Sequence, residues 1–136
     1  MARKVKKKRK PKRSEIKRVL IVHPDCSLRP FRESFLIDGA ELSFAINGVD
    51  ALRELYRSMG GYDAIICGII MPQMDGYSFV SRVRTMTDIP VIILSDNGDL
   101  DDQSAQLFAQ LGVSCFLPRD SSEEINRSLS HMMLSA

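Results

Sequence analysis

"YDAIICGIIMPQMDG", residues 62–76, passes from an apolar run ending at Gly68 into a helix that opens around Pro72, Asp75 and Gly76. The run AIIC (64–67) is short, rich in β-branched side chains and free of alternation, the pattern of a strand covered on both faces. Outward from it, VLIV (19–22), LSFAI (42–46), VIIL (91–94) and the weaker SCFL (114–117) share that character, with a helix-length gap between each pair. SLRPFRESFLIDG offers Ser27 as an N-cap, Pro30 in the first turn and Gly39 beyond the end. NGVDALRELYRSMGG opens at Asn47 and stops at paired glycines. DGYSFVSRVR opens at Asp75, and DLDDQSAQLFAQLG starts near Asp99, puts Leu107, Phe108 and Leu111 on one side and ends at Gly112. SSEEINRSLSHMML carries Ser121 and Glu124 at capping-box spacing.

Strands alternating with helices in this way predict an α/β fold with right-handed crossovers and a parallel sheet flanked by helices. Ligands and chemistry in such sheets gather beyond the carboxyl ends of the strands. The residues to weigh are therefore His23, Pro24 and Asp25 after the first strand and Gly68 after the third. Ser95 and Asp96 follow the fourth, and Arg119 and Asp120 the fifth.

The 136 residues, 44% of them apolar, fit one domain with a single closed core. Charge is unevenly spread. Residues 1–18 hold 11 of the 19 basic residues and only Glu15 of the 17 acidic ones, so this segment carries +10 and the remainder, with 8 against 16, carries −8. Residues 1–17 are expected to be a disordered basic tail, because so few apolar groups cannot offset the entropy of ordering, and 18–136 the folded domain. No apolar stretch of signal-peptide length follows the basic start, and AIICGIIM is too short to span a bilayer, so a soluble, cytoplasmic protein is expected. Cys26, Cys67 and Cys115 are too few and unpatterned for a disulfide framework or a zinc site. Cys67 and Cys115 read as small hydrophobes in strands, whereas Cys26 falls in a loop where it could be exposed and open to a redox role.

With NGVDAL, YDAII, MPQMDGY, IPVIILS and LGVSCFL in this order and spacing, the chain from Arg18 onward resembles a bacterial response-regulator receiver domain. The resemblance implies a flavodoxin-like (βα)5 three-layer sandwich with a five-stranded parallel sheet in the order 2-1-3-4-5. In an active member of that family an acidic pair after strand one and an aspartate ending strand three hold Mg²⁺, and that aspartate accepts a phosphoryl group from a histidine kinase. A hydroxyl after strand four and a lysine after strand five stabilise the transferred group. Carried onto this chain, the pair becomes His23 and Pro24, the acceptor becomes Gly68, the hydroxyl survives as Ser95 and the lysine becomes Arg119.

That pattern implies a degenerate pocket, a pseudo-receiver with no catalytic role, no bound cofactor and Mg²⁺ binding lost. Asp25 alone makes a poor Mg²⁺ site, Asp63 starts its strand and lies at the opposite end of the sheet, and Asp75 reads as a helix N-cap. Asp96, Asp99, Asp101 and Asp102 read as a solvated loop and helix start rather than a calcium site, and His23 as a packed or hydrogen-bonded imidazole. Family members usually have a cis proline where Asp120 stands; a cis bond there would cost about 3–4 kcal/mol, so a trans bond is expected. Arg119 is expected to pair with Asp25 or Asp96.

Three functions compete at this point. The first is a phosphorylation-independent interaction module in two-component signal transduction, docking another signalling protein or a second receiver-like copy through Leu100, Phe108, Phe116 and Met132. The second is polyanion tethering, to nucleic acid or anionic lipid, through Lys6, Lys7, Lys8, Arg9 and Lys10. The third is a live receiver using a displaced acceptor.

Overall fold

The computed structural model describes residues 18–35, 40–59, 61–96, 98–113, 115–118, 123–125 and 127–128. Five strands, β1 (Arg18–Val22), β2 (Glu41–Ala45), β3 (Ala64–Gly68), β4 (Val91–Ser95) and β5 (Cys115–Pro118), form one parallel sheet in the order β2-β1-β3-β4-β5. Strand side chains alternate between faces, which splits the apolar runs into two cores. Leu20, Val22, Ile65, Cys67 and Ile93 turn to one face, and Val19, Ile21, Ala64, Ile66 and Ile92 to the other. Each fully buried aliphatic side chain contributes roughly 1.5–3 kcal/mol, so neither face could be left uncovered.

The first face is closed by α2 (Gly48–Arg57), α3 (Gly76–Val83) and α4 (Asp102–Gln110) through Leu55, Phe79, Val83 and Phe108. The second is closed by Phe35 after α1 (Arg29–Glu33) and by Ile125 in the helical residues 123–125. Polar side chains cap the helices as expected at two places: Asn47 accepts from the Asp50 N–H at 2.8 Å and Asp75 from the Ser78 N–H at 2.8 Å. Such caps are each worth about 1 kcal/mol.

Several boundaries differ from the sequence reading, for local reasons. The first helix is only five residues long and its N-cap is Leu28, not Ser27. A 3-10 turn at Pro24–Ser27, started by His23 and by Pro24 at its first position, consumes the residues that Ser27 would have capped. α2 ends at Arg57 ahead of the glycines, and Met59 takes the left-handed conformation with φ 56°. α4 is capped by Asp101, which accepts from the Ser104 N–H at 2.7 Å, while the Asp99 carboxylate accepts from the Asp96 N–H at 2.8 Å and closes the preceding loop. That Ser104 hydrogen bond holds the Asp101 carboxyl below its usual range. Leu107 does not join Phe108 and Leu111 on the inner side: it is 39% exposed. The tail, Gly39, Gly60, Ser121 and the last helix's Met132 lie outside the described residues.

At the amino ends of the strands, Asp63 accepts from the Arg18 N–H at 2.8 Å, which places it opposite the candidate site as the sequence implied. At the carboxyl ends, the Gly76 N–H donates to the Ile69 carbonyl at 2.6 Å and brings the start of α3 against β3. A Cβ on Gly76 would run into the Gly68 carbonyl oxygen, a contact backbone atoms cannot yield. Gly76→Ala is therefore expected to lower stability by about 1–3 kcal/mol, the overpacking range, measured by urea denaturation. An unchanged midpoint would mean that this approach is looser than described.

Candidate functional site at the carboxyl ends of the strands

Parallel pairing of Val22 with Cys67 puts the residues that follow, His23 and Gly68, side by side at the top of the sheet. His23 is 6% exposed and held on several sides. Its N–H donates to the Ala45 carbonyl at 3.0 Å, and its Nδ1 accepts from the Asp25 N–H at 3.0 Å. An accepting Nδ1 leaves the ring proton of the neutral imidazole on Nε2. Nε2 lies 3.7 Å from Asp96 Oδ2, and the ring packs on Phe31 with centroids 4.8 Å apart. Phe31 in turn stacks on Phe35.

The imidazole lies against Gly68. A Cβ at position 68 would come 2.9 Å from His23 Cδ2, closer than real Cβ contacts. A side chain on β3's last residue would thus begin in tight contact with the ring of the residue that follows β1. Pro24 offers no ligand oxygen on its side chain and opens the 3-10 turn, and Asp25 follows in that turn, half-buried. Ser95 ends β4 beside Pro118 of β5 and is half-buried. Arg119 and Asp120, with the expected trans bond between them, lie outside the described residues.

Mg²⁺ asks for several hard oxygen ligands in octahedral array. This site instead presents an imidazole whose Nδ1 is already engaged, a proline and a glycine, and those residues do not fit the ion. Among the described residues, no three His, Cys, Asp or Glu side chains cluster so as to hold a metal ion.

The interaction residues read from sequence separate on inspection. Phe108 is buried, 1% exposed: it is a core residue that packs edge-on against Tyr77 at 5.8 Å and Phe116 at 6.1 Å. Leu100 and Phe116 are half-buried against the same core. The surface groups the sequence reading missed are Ile70, Tyr77 and Leu107, which line a groove of about 180 Å³ between α3 and α4 together with Asp75, Ser104 and the edge of Phe108. A signal existed for Leu107, which precedes Phe108 by one residue and so cannot share its direction on a helix.

Cys26 also needs correction. It is buried at 4% exposure, its thiol donates to the Ile21 carbonyl at 3.5 Å, and burial pushes its pKa up from 9.0 to about 12. A thiol so rarely ionised is no redox centre. Burial also raises Cys67 to about 12, and Cys115 is raised by the same cause.

The sequence family described as "Response regulator receiver domain" matches residues 19–129. The chain is a receiver-type α/β domain, and it belongs to the response-regulator receiver family. It is 39% identical over 94 residues to the transcriptional regulatory protein PrrA of Mycobacterium leprae, covering 68% of this chain and 40% of that protein. A probable transcriptional regulator, ycf27 of Guillardia theta, is 33% identical over 101 residues, covering 74% of this chain and 38% of its own length. The chain thus spans about 40% of the length of these relatives. Among solved structures, the signal receiver domain of the putative response regulator NarL from Mycobacterium tuberculosis superposes with a TM-score of 0.74 at 21% identity, covering 93% of this chain and all of that one. A receiver domain protein from Clostridium thermocellum gives 0.76 at 21% identity, covering 87% and 94%. At such identities the structures speak for the fold.

Two outcomes test the geometry. Gly68→Ala is expected to cost about 1–3 kcal/mol in the native protein and markedly less beside His23→Ala, because the ring that the new Cβ meets is then gone. A double-mutant cycle by urea denaturation with no coupling would show that the ring does not fill this space. Separately, the unfolded thiols ionise near 9.0 and the folded Cys26 and Cys67 only near about 12. The stability gained by keeping them neutral is whole below about pH 9 and is lost as pH rises toward about 12. Denaturation midpoints should fall across that window, and fall less in Cys67→Ala.

Proposed function

We propose that this chain is a receiver domain that has left phosphoryl transfer behind, a pseudo-receiver that conveys signals by contact with another protein, as an interaction module without catalytic activity. The observation that carries this reading is the His23 ring lying so close to Gly68 that a Cβ there would come 2.9 Å from its Cδ2. An acceptor carboxylate needs that space, and a metal that would neutralise the incoming phosphoryl group needs carboxylates where His23 and Pro24 stand. Both requirements fail at once, so the loss is not a single reversible substitution. The family's phosphorylated partners and the transcriptional role named for the relatives are not needed for this reading, which places the domain in bacterial two-component signalling in the cytoplasm. Among the described residues no helix is long and apolar enough to cross a membrane.

The contact surface we assign is the α3–α4 side, where Ile70, Tyr77 and Leu107 are exposed beside a groove. A second reading, polyanion tethering through Lys6, Lys7, Lys8, Arg9 and Lys10, is favoured by the +10 carried by residues 1–18. Several lysines and arginines together release counterions on binding, giving affinity that falls steeply with salt. A displaced acceptor such as Asp25 or Asp96 is the remaining route to a live receiver.

Incubation of the full chain with Mg²⁺ and acetyl phosphate or phosphoramidate decides the central claim. Intact mass spectrometry is expected to show no phosphoryl adduct, and Gly68→Asp alone should show none either. A base-labile gain of one phosphoryl group on the unsubstituted chain would sink the reading. Restoring three carboxylates together, with His23→Asp, Pro24→Asp and Gly68→Asp, is the smallest change expected to bring back metal binding by calorimetry.

A further inference from the structure

The groove between α3 and α4 is apolar on its floor and acidic at one end. Ile70 is 71% exposed, Leu107 39% and Tyr77 37%, with the buried Phe108 beneath. At the amino ends of the same two helices stand Asp75, Asp99, Asp101 and Asp102. Among the described residues none of these four carboxylates has a cationic partner. Asp75 and Asp99 each accept a backbone N–H, and Asp101 accepts from Ser104 at the start of α4; Asp75, Asp101 and Asp102 are exposed to water. The helix dipoles, near half a charge each, only partly offset four negative charges.

A second copy of the chain fits this surface poorly. Stable interfaces bury about 800 Å² per partner, and three partly exposed apolar side chains around a cavity of about 180 Å³ do not supply a patch of that size. A single extended segment with positive charges and an occasional aliphatic residue fits better. The chain carries one: RKVKKKRK, residues 3–10, has seven cationic side chains around Val5. Lysine stems can lie along apolar surface while their ammonium groups reach the carboxylates, and a lysine or arginine over Tyr77 adds a cation–π contact. Reach is sufficient. Residues 3–10 lie 8–15 positions before Arg18, which extended chain converts to roughly 26–54 Å. β1 itself, with five residues, spans only about 17 Å from the bottom of the sheet to the top.

We propose that residues 3–10 of the chain's own basic tail occupy the α3–α4 groove, with Val5 over Ile70 and Leu107 and the lysines against Asp75, Asp101 and Asp102. Tethering makes the encounter intramolecular at an effective concentration near the millimolar range, so weak contacts suffice. The tail is then a salt-sensitive cover on the face assigned above to partner contact. A partner must displace it, and a polyanion that takes the tail uncovers the face. This inference concerns that face, yet its test uses neither partner nor phosphodonor, so either reading can fail alone.

A nitroxide placed by Ala2→Cys in a Cys115→Ser background labels the tail selectively, because Cys26 and Cys67 are buried. On the full-length ¹⁵N protein at about 0.05 M salt, amide signals of Tyr77, Ser104 and Leu107 are expected to lose intensity, and to recover at about 0.5 M, where the Debye length is only a few ångströms. They should also recover in Asp75→Asn, Asp101→Asn, Asp102→Asn, which removes charge while keeping side chains that cap helices well. Broadening that is absent, spread evenly over the surface, or unaffected by the asparagine substitutions overturns the proposal. So does comparable broadening of the same signals when labelled ¹⁴N protein is mixed with unlabelled ¹⁵N protein, which would give the groove to a second copy's tail.

Discussion

The top of this sheet is arranged around one close contact: Val22, the end of β1, pairs with Cys67, so His23, the residue after β1, sits beside Gly68, the end of β3. A Cβ on Gly68 would come 2.9 Å from the His23 ring, and the glycine has none. The ring is not loosely placed. Backbone hydrogen bonds at its N–H and Nδ1, the Phe31 contact and the Asp96 carboxylate together constrain its position and its tautomer. Protein interiors are packed about as densely as organic crystals, so a side chain gained at 68 must displace one at 23. The two positions are best regarded as a single unit.

The loop after β3 keeps its shape for a separate reason. Gly76 lets α3 approach the end of β3 closely, and Asp75 caps that helix. Neither depends on what residue 68 carries. The shape of this loop and the side-chain chemistry at position 68 therefore rest on different residues. Ser95 is likewise placed by the sheet, half-buried at the end of β4 beside Pro118 of β5.

Much of this was legible beforehand, and the places where it was not have physical causes. Strands are set by unbroken apolar runs, a signal that depends on burial across the whole sheet, and all five fell within a residue or two of expectation. Asn47 and Asp75 were readable as caps because a short polar side chain before an amphipathic run has few other uses. The failures came where two local signals compete. Ser27 looked like a cap, but His23 and Pro24 began a turn first. Cys26 looked exposed because it follows a strand, yet that same turn folds it back under the sheet end. The coupling of His23 to Gly68 needed the strand pairing, which spacing along the chain does not supply.

A change of state driven from the surface of this domain needs a physical route into its core. The aromatic chain Tyr77–Phe108–Phe116 supplies a physical route for that. Tyr77 borders the α3–α4 groove, Phe108 is wholly buried, and Phe116 lies in β5, each pair packed edge to face. Close-packed interiors transmit strain, so a ring that changes rotamer presses on its neighbours. A group entering the groove that turns Tyr77 therefore presses on Phe108, which packs in turn on the half-buried Phe116. A ligand shifts such a system only by the difference in its affinity for the two arrangements, so the same groove can serve as input without any covalent step.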